Sequence, residues 1–292
     1  MSEPRRPFSG IDVLQGNLFE SAVVKISGIS SEQLSHFDDQ VGVVLFFENE
    51  DEANAGLLDV HVLDRLREHP TLTLDLLRAL AAHNRQEGSV PLTTLQTLEQ
   101  DELFDSMVAA GLLKVVVVIS GQGPEAFGMP EMFTSMQHIN ANRELRKLTA
   151  LISDGRYSGT SYGAAVGHVT PEAMNGGAIG LLETGDLLHI QLTDRRIDLL
   201  DPQAFAAGQI RRWDADLHAL RRDRGVERNQ RILERRRQVA ATNRMHAVTD
   251  AGRGVVPFVV AEEAIQTYGL PENSQRPRRA PLSASSLVVG RD

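Results

Sequence analysis

No cysteine occurs anywhere in the 292 residues. Disulfides, cysteine-ligated metals and a cysteine-held iron–sulfur cluster are therefore excluded within this chain. Long apolar runs are also missing. The longest, around Leu112–Ile119, has the length of a strand and falls well short of a membrane span. The opening residues, MSEPRRPFSG, lack the apolar centre of a signal peptide, so a cytoplasmic protein without membrane contact is expected. No repeat of fixed period is visible. Positive charge is scarce overall: the formal charge is −9, which argues against a general nucleic-acid binder. It is unevenly spread, since residues 211–244 carry eleven arginines against five acids, a net +6 that leaves −15 on the remainder. With 41% apolar and 24% charged residues, the chain has the composition of a soluble globular protein.

What is present alternates between buried strands, glycine turns and helices. Residues 1–15 read as a flexible arm, with prolines and little apolar content. Short β-branched or continuous apolar runs mark strands at 21–26, 41–47, 112–119 and 148–152. The acids from Glu48 to Glu52 suit the first turn of a helix. Leucines at a 3.6-residue period make 57–107 helical, punctuated by Pro70 and Pro91. A helix is expected over 132–148, and Asp194–Arg195 forms the turn of a hairpin between 186–191 and 196–200. From residue 204 to about 250 the spacing of Ile210, Trp213, Leu217 and Leu220 and the many arginines suggest one basic amphipathic helix. Such a helix either meets an acidic partner or membrane surface, or docks on its own acidic domain. The second reading is preferred. Residues 251–292 hold one short apolar run and a disordered tail. The fold class is α/β, with this basic helix as a C-terminal extension.

The chain is organised around residues 151–182, LISDGRYSGTSYGAAVGHVTPEAMNGGAIGLL, a buried strand that empties into a stretch with seven glycines. Glu131, in Gly128–Met129–Pro130–Glu131–Met132, sits near an expected helix N-terminus. Adjacent parallel strands deliver their following loops to one edge, so Glu131 and Ser158 are expected to face one polar site. Arg156 either binds a substrate carboxylate or pairs with Asp154 to fix the loop. His168 and Glu172 suit structural roles, and nine scattered histidines argue against a histidine metal site.

GMPEM at 128–132, SDGRYSGTSYG at 153–163, GHVTPEA at 167–173 and GG at 176–177 stand in the order and spacing of the dihydroxy-acid and sugar-acid dehydratases. AVVKISGI at 22–29 and GNL at 16–18 resemble the entry to that family's C-terminal domain, and SGTSYG resembles its sugar-acid branch. The resemblance implies a swivelling β/β/α fold, a barrel-like sheet with helices, over 16–203, with 57–107 as a helical insert. It implies a hydro-lyase that converts a 2,3-dihydroxy (sugar) acid to a 2-keto acid. Ser158 would be the base, Glu131 a magnesium ligand and Thr160 a substrate contact, with Arg156 a substrate contact on its own chemistry. The family also uses an iron–sulfur cluster. Its cysteines, further magnesium carboxylates and a lysine belong to an N-terminal domain that this sequence does not include. The chain is therefore expected to work as a subunit beside a cluster-bearing partner, or as a homo-oligomer, and to be inactive alone. The competing expectation is a non-catalytic binding or regulatory module that kept the fold.

Overall fold

The computed structural model describes residues 12–24, 36–85, 90–128, 131–157 and 164–242. Eight strands form one sheet: β1 Asp12–Leu14, β2 Ser21–Val24, β3 Gln40–Phe47, β4 Lys114–Ile119, β5 Thr149–Ser153, β6 Ala165–Thr170, β7 Leu187–Gln191 and β8 Arg196–Leu200. Their order is β1-β2-β6-β5-β4-β3-β7-β8, with β3, β4, β5 and β6 mutually parallel in the middle and the outer pairs antiparallel. The two edges meet. Gln15, just after β1, bridges to Arg196 of β8, and Gln15 N–H donates to Arg195 O while Ile197 N–H donates to Gln15 O, both at 2.9 Å. The sheet is thereby curled into a nearly closed barrel, which leaves little free edge.

The period of two along each strand separates two cores. Val44 and Phe46 of β3, Val116 and Val118 of β4, Ile152 of β5 and Leu188 of β7 point inward with Leu14 and Ile197. Val43, Leu45 and Phe47 of β3 and Val115, Val117 and Ile119 of β4 point outward against helices. Both faces of these strands are buried, which is why they read as unbroken apolar runs rather than as alternation. At roughly 1.5–3 kcal/mol per buried large apolar side chain, the two layers dominate the favourable side of folding.

The helices between β3 and β4 are α1 Glu50–Leu58, α2 Asp64–Arg67, α3 Leu74–His83, α4 Leu92–Leu95 and α5 Gln100–Ala110. The acids Glu50, Asp51 and Glu52 do occupy the first turn of α1, and Asn49 caps it by accepting from Glu52 N–H at 2.9 Å. This region forms the crossover between β3 and β4 and is packed into the fold: Leu76, Leu77, Leu80, Leu103 and Phe104 belong to the same outer core as those strands. Between β4 and β5 lie α6 Pro124–Phe127, α7 Thr134–Ala141 and α8 Leu145–Leu148. The single helix expected over 132–148 is broken because the Asn142 side chain accepts from Glu144 N–H and Leu145 N–H, at 2.9 and 3.1 Å, and turns the chain.

Three further differences from expectation have physical causes. Asp12–Leu14, assigned to a flexible arm, is a strand because β2 and the closing edge of β8 supply its partners. β6 hides in the glycine-rich stretch, where Gly167 and the left-handed His168 (φ 55°) spoil strand periodicity. After α9 Pro202–Ala206 the chain does not run on as one helix. Gly208 is left-handed (φ 79°), α10 is only Leu217–Leu220, and the long basic helix is α11 Arg222–Thr242. Ile210 and Leu220 are consequently exposed rather than on a buried face.

Helix α11 docks on its own domain. Ile232 enters the inner core, and Arg228 donates to Gly180 O and Leu182 O at 3.0 and 2.7 Å and stacks 4.1 Å from the Phe46 ring centre. Arg221, just before it, makes a bidentate pair with Asp186, 2.7 Å on each side. Residues 25–35 and 243–292 lie outside the described residues, including the apolar run and tail expected over 251–292. Among the described residues no helix is long and apolar enough to cross a membrane.

Candidate active site

The loops after β3, β4, β5 and β6 emerge at one edge of the parallel section, where ligands bind in sheets of this kind. Asp154, immediately after β5, holds three of them together. Fully buried, it accepts from Gly121 N–H at 3.1 Å, Gln122 N–H at 2.9 Å and Ala173 N–H at 2.9 Å. Burial pushes its carboxyl above the ordinary value, and the backbone donors pull the other way. Ser153 adds a local turn, accepting at Oγ from Gly155 N–H at 2.9 Å.

Glu172, after β6, buttresses the next element. Also fully buried, it accepts from Glu125 N–H and Ala126 N–H, at 3.1 and 3.3 Å, and so caps α6 from a distant part of the chain. Its approach requires glycine at 123: a Cβ there would lie 1.7 Å from Glu172 Oε2. Burial, and then the neighbouring Asp154, push the Glu172 carboxyl well above the ordinary range. Both acids are thus scaffold for the loops. The structural role expected for Glu172 is what the contacts display, whereas Asp154 was read only as a possible partner of Arg156. Among the described residues no ion pair joins Asp154 to Arg156, because the Asp154 oxygens are taken by backbone N–H groups.

Outside this buried frame, Glu131 and Arg156 are adjacent and exposed. Their backbones form an isolated parallel bridge, with Met132 N–H donating to Arg156 O at 3.1 Å. Beside them, His168 N–H donates to Gly155 O at 2.8 Å, and burial followed by the Arg156 charge holds the His168 imidazole below its ordinary value. Ser158 and Thr160 lie outside the described residues, as do Met129 and Pro130. Of the four candidate site residues, the structure therefore brings together Glu131 and Arg156.

A separate concavity of about 250 Å³ opens between the ends of β3 and β4 and α11, lined by Glu48, Ser120, Gly121, Arg228, Arg231 and Arg235 among others. Neither Glu131 nor Arg156 lines it; this concavity is the seam where the docked helix meets the barrel. Glu48 there receives Arg231 Nε and Nη2, both at 2.6 Å, and Arg228 Nε at 3.3 Å. Glu48 as the anchor of the basic helix was missed from sequence, where it merged with the acids of α1.

The model of the family described as dihydroxy-acid/6-phosphogluconate dehydratase, C-terminal, matches residues 80–254. The match takes in α11, which reads in the sequence as a C-terminal extension. Dihydroxy-acid dehydratase, chloroplastic, of Arabidopsis thaliana is 42% identical over 108 residues, which are 37% of this chain and 18% of that protein. The dihydroxy-acid dehydratase of Acetivibrio thermocellus is 30% identical over 217 residues, 74% of this chain and 29% of that protein. The aligned segments thus span less than a third of either relative's length. With a family match over more than half its length, this chain belongs to the dihydroxy-acid/6-phosphogluconate dehydratase family, as a C-terminal domain of it.

Proposed function

We infer that this chain is the C-terminal part of a hydro-lyase that removes water from a 2,3-dihydroxy acid to give a 2-keto acid. The observation that carries the reading is the backbone bridge setting Glu131 against Arg156, two residues before Ser158, at the mouth of the parallel strands. In this reading Ser158 Oγ, as an alkoxide, takes the C2 proton, the C3 hydroxyl leaves as hydroxide and is made water by that proton, which restores the alkoxide, and the resulting enol tautomerises to the 2-keto acid. A serine needs nearby positive charge to act as a base, and Arg156 is the described cation of this loop. Arg156 and Thr160 are read as substrate contacts, with Thr160 favouring a sugar acid.

The donor set suits a shared magnesium ion. Glu131 offers an exposed hard oxygen, while Asp154 and Glu172 nearby are buried and committed to backbone N–H groups. Magnesium accepts such sites, since it keeps several waters and takes one or two carboxylates plus substrate oxygens. When bound, it would hold the substrate carboxylate and C2 hydroxyl and stabilise charge developing at C2 and C1. An iron–sulfur cluster does not fit this chain, which has no cysteine. Any cluster would belong to a partner chain or domain.

The test is formation of 2-keto acid from a panel of aldonates and branched dihydroxy acids by the chain with and without a cluster-bearing dehydratase domain. The reading expects turnover only in the mixture, fastest with an aldonate. A stable mixed complex with no turnover on any of these acids would favour a binding or regulatory module that kept the fold.

A further inference from the structure

At the opposite pole of the barrel, three metal-ligating side chains meet that the dehydratase chemistry does not use. Asp39 immediately precedes β3, His83 ends α3 and His189 lies in β7, and one ligand atom from each falls within 4.8 Å of the other two. The loops of the candidate active site leave the other end of β3, roughly 25 Å away at about 3.3 Å per strand residue. The three elements are held by the fold rather than by the cluster. Val41 pairs with His189 across β3 and β7. The Asn84 side chain clamps the end of α3 to β3: Oδ1 accepts from Val41 N–H at 2.9 Å, and Nδ2 donates to Val41 O at 2.8 Å and Leu112 O at 3.0 Å. Asp39 adopts a left-handed backbone, φ 54°, which turns the chain into β3.

The chemistry of the donors points to a transition metal. His189 is buried, and its Nε2 lies 2.8 Å from Asp39 Oδ1. The His83 ring packs edge-on against His189, centroids 5.3 Å apart, and its Nε2 is buried without a hydrogen-bond partner among the described residues. Asp39 is 72% exposed and leaves the cluster open to an entering ion. Two imidazoles and one carboxylate match the donor preferences of zinc and its neighbours and not those of magnesium.

We propose that Asp39, His83 and His189 form a second metal site, a two-histidine, one-carboxylate site for Zn2+ that joins the start of β3, the end of α3 and β7, with water in the fourth position. Ligand atoms around tetrahedral zinc lie about 3.3 Å apart, and the present ones lie within 4.8 Å of one another, so binding needs a closing movement of at most about 1.5 Å, chiefly between His83 and the other two. The ion replaces the His189–Asp39 hydrogen bond, and the neutral His189 ring carries its proton on Nδ1 instead.

The experiment is calorimetric titration of the chelator-treated full 292-residue chain with ZnCl2, beside His83→Gln and Asp39→Asn. Asn tolerates the left-handed backbone, and residue 39 is on the surface, so Asp39→Asn keeps the fold. Circular dichroism checks both variants. The expected result is one equivalent of Zn2+ per chain, unaffected by excess Mg2+, a higher melting temperature, and affinity weaker by at least roughly tenfold in each variant. Co2+ should give the visible bands of tetrahedral coordination in the parent chain and lose them in Asp39→Asn. Absence of saturable Zn2+ binding, displacement by Mg2+, or equal binding by parent and Asp39→Asn would overturn the proposal.

Discussion

Glu131 and Arg156 are joined through their backbones, Met132 N–H donating to Arg156 O at 3.1 Å, while both side chains remain exposed. Placement and chemistry are therefore separable at this edge. Glu131→Ala removes a carboxylate but no buried contact, so stability should change by no more than about 0.5 kcal/mol. In a complex with a cluster-bearing domain, the same substitution should raise the Mg2+ concentration needed for half-maximal rate by about tenfold or more. Urea denaturation and a Mg2+ titration of the rate check the two halves.

Gly123 leaves room for Glu172, with the position of its missing Cβ 1.7 Å from Oε2 and 2.5 Å from Cδ. Gly123→Ala must displace a buried carboxyl that caps α6. The expected cost is about 2–4 kcal/mol, from overpacking and from leaving the Glu125 and Ala126 N–H groups unpaired. Chemical denaturation reads this directly. A cost under about 0.5 kcal/mol would mean that the loop yields easily.

Glu48 receives Arg228 and Arg231 of α11, and Arg228 is itself 9% exposed. Burial lowers the Arg228 guanidinium and Glu48 opposes this. Glu48→Ala leaves a buried cation without its counter-charge, although Gly180 O and Leu182 O still accept from it. A loss of about 2 kcal/mol is expected, below the ceiling for a fully buried broken pair. Hydrogen exchange should accelerate selectively along 222–237.

Lys114 projects into the barrel interior, 3% exposed, with Nζ 5.5 Å from the Phe37 ring centre. Burial lowers it from 10.5 to about 8. Between pH 8 and 10.5 the unfolded chain holds the proton that the folded chain has released, so stability rises with pH across that window. Lys114→Met should remove this slope and stabilise the protein at pH 7 by up to about 3 kcal/mol. Unfolding free energies measured at pH 7 and pH 10 for both chains decide it.

Much of the barrel was legible because β3, β4 and β5 are buried on both faces and read as continuous apolar runs, and because the β7–β8 hairpin alternates around Asp194–Arg195. β1 and β6 were not, since three residues at the barrel seam and a strand holding Gly167 and His168 owe their conformation to distant partners. Apolar spacing at Ile210–Leu220 suggested a helix that Gly208 and the Asp216 cap break into turns. The motifs gave no sign that Asp154 staples three loops together. Which N–H groups a buried carboxylate gathers depends on how three loops converge. The pairing of His83 with His189 likewise depends on the β3–β7 register together with the Asn84 clamp that holds α3 to Val41, and has no local signature.

The most direct test of the account is the rate of 2-keto acid formation by the reconstituted complex carrying Ser158→Ala, with assembly followed by size-exclusion chromatography. Normal assembly and loss of turnover, by about 100-fold or more for removal of a proton-transfer group, are expected. Undiminished turnover in a complex of the same size would contradict it.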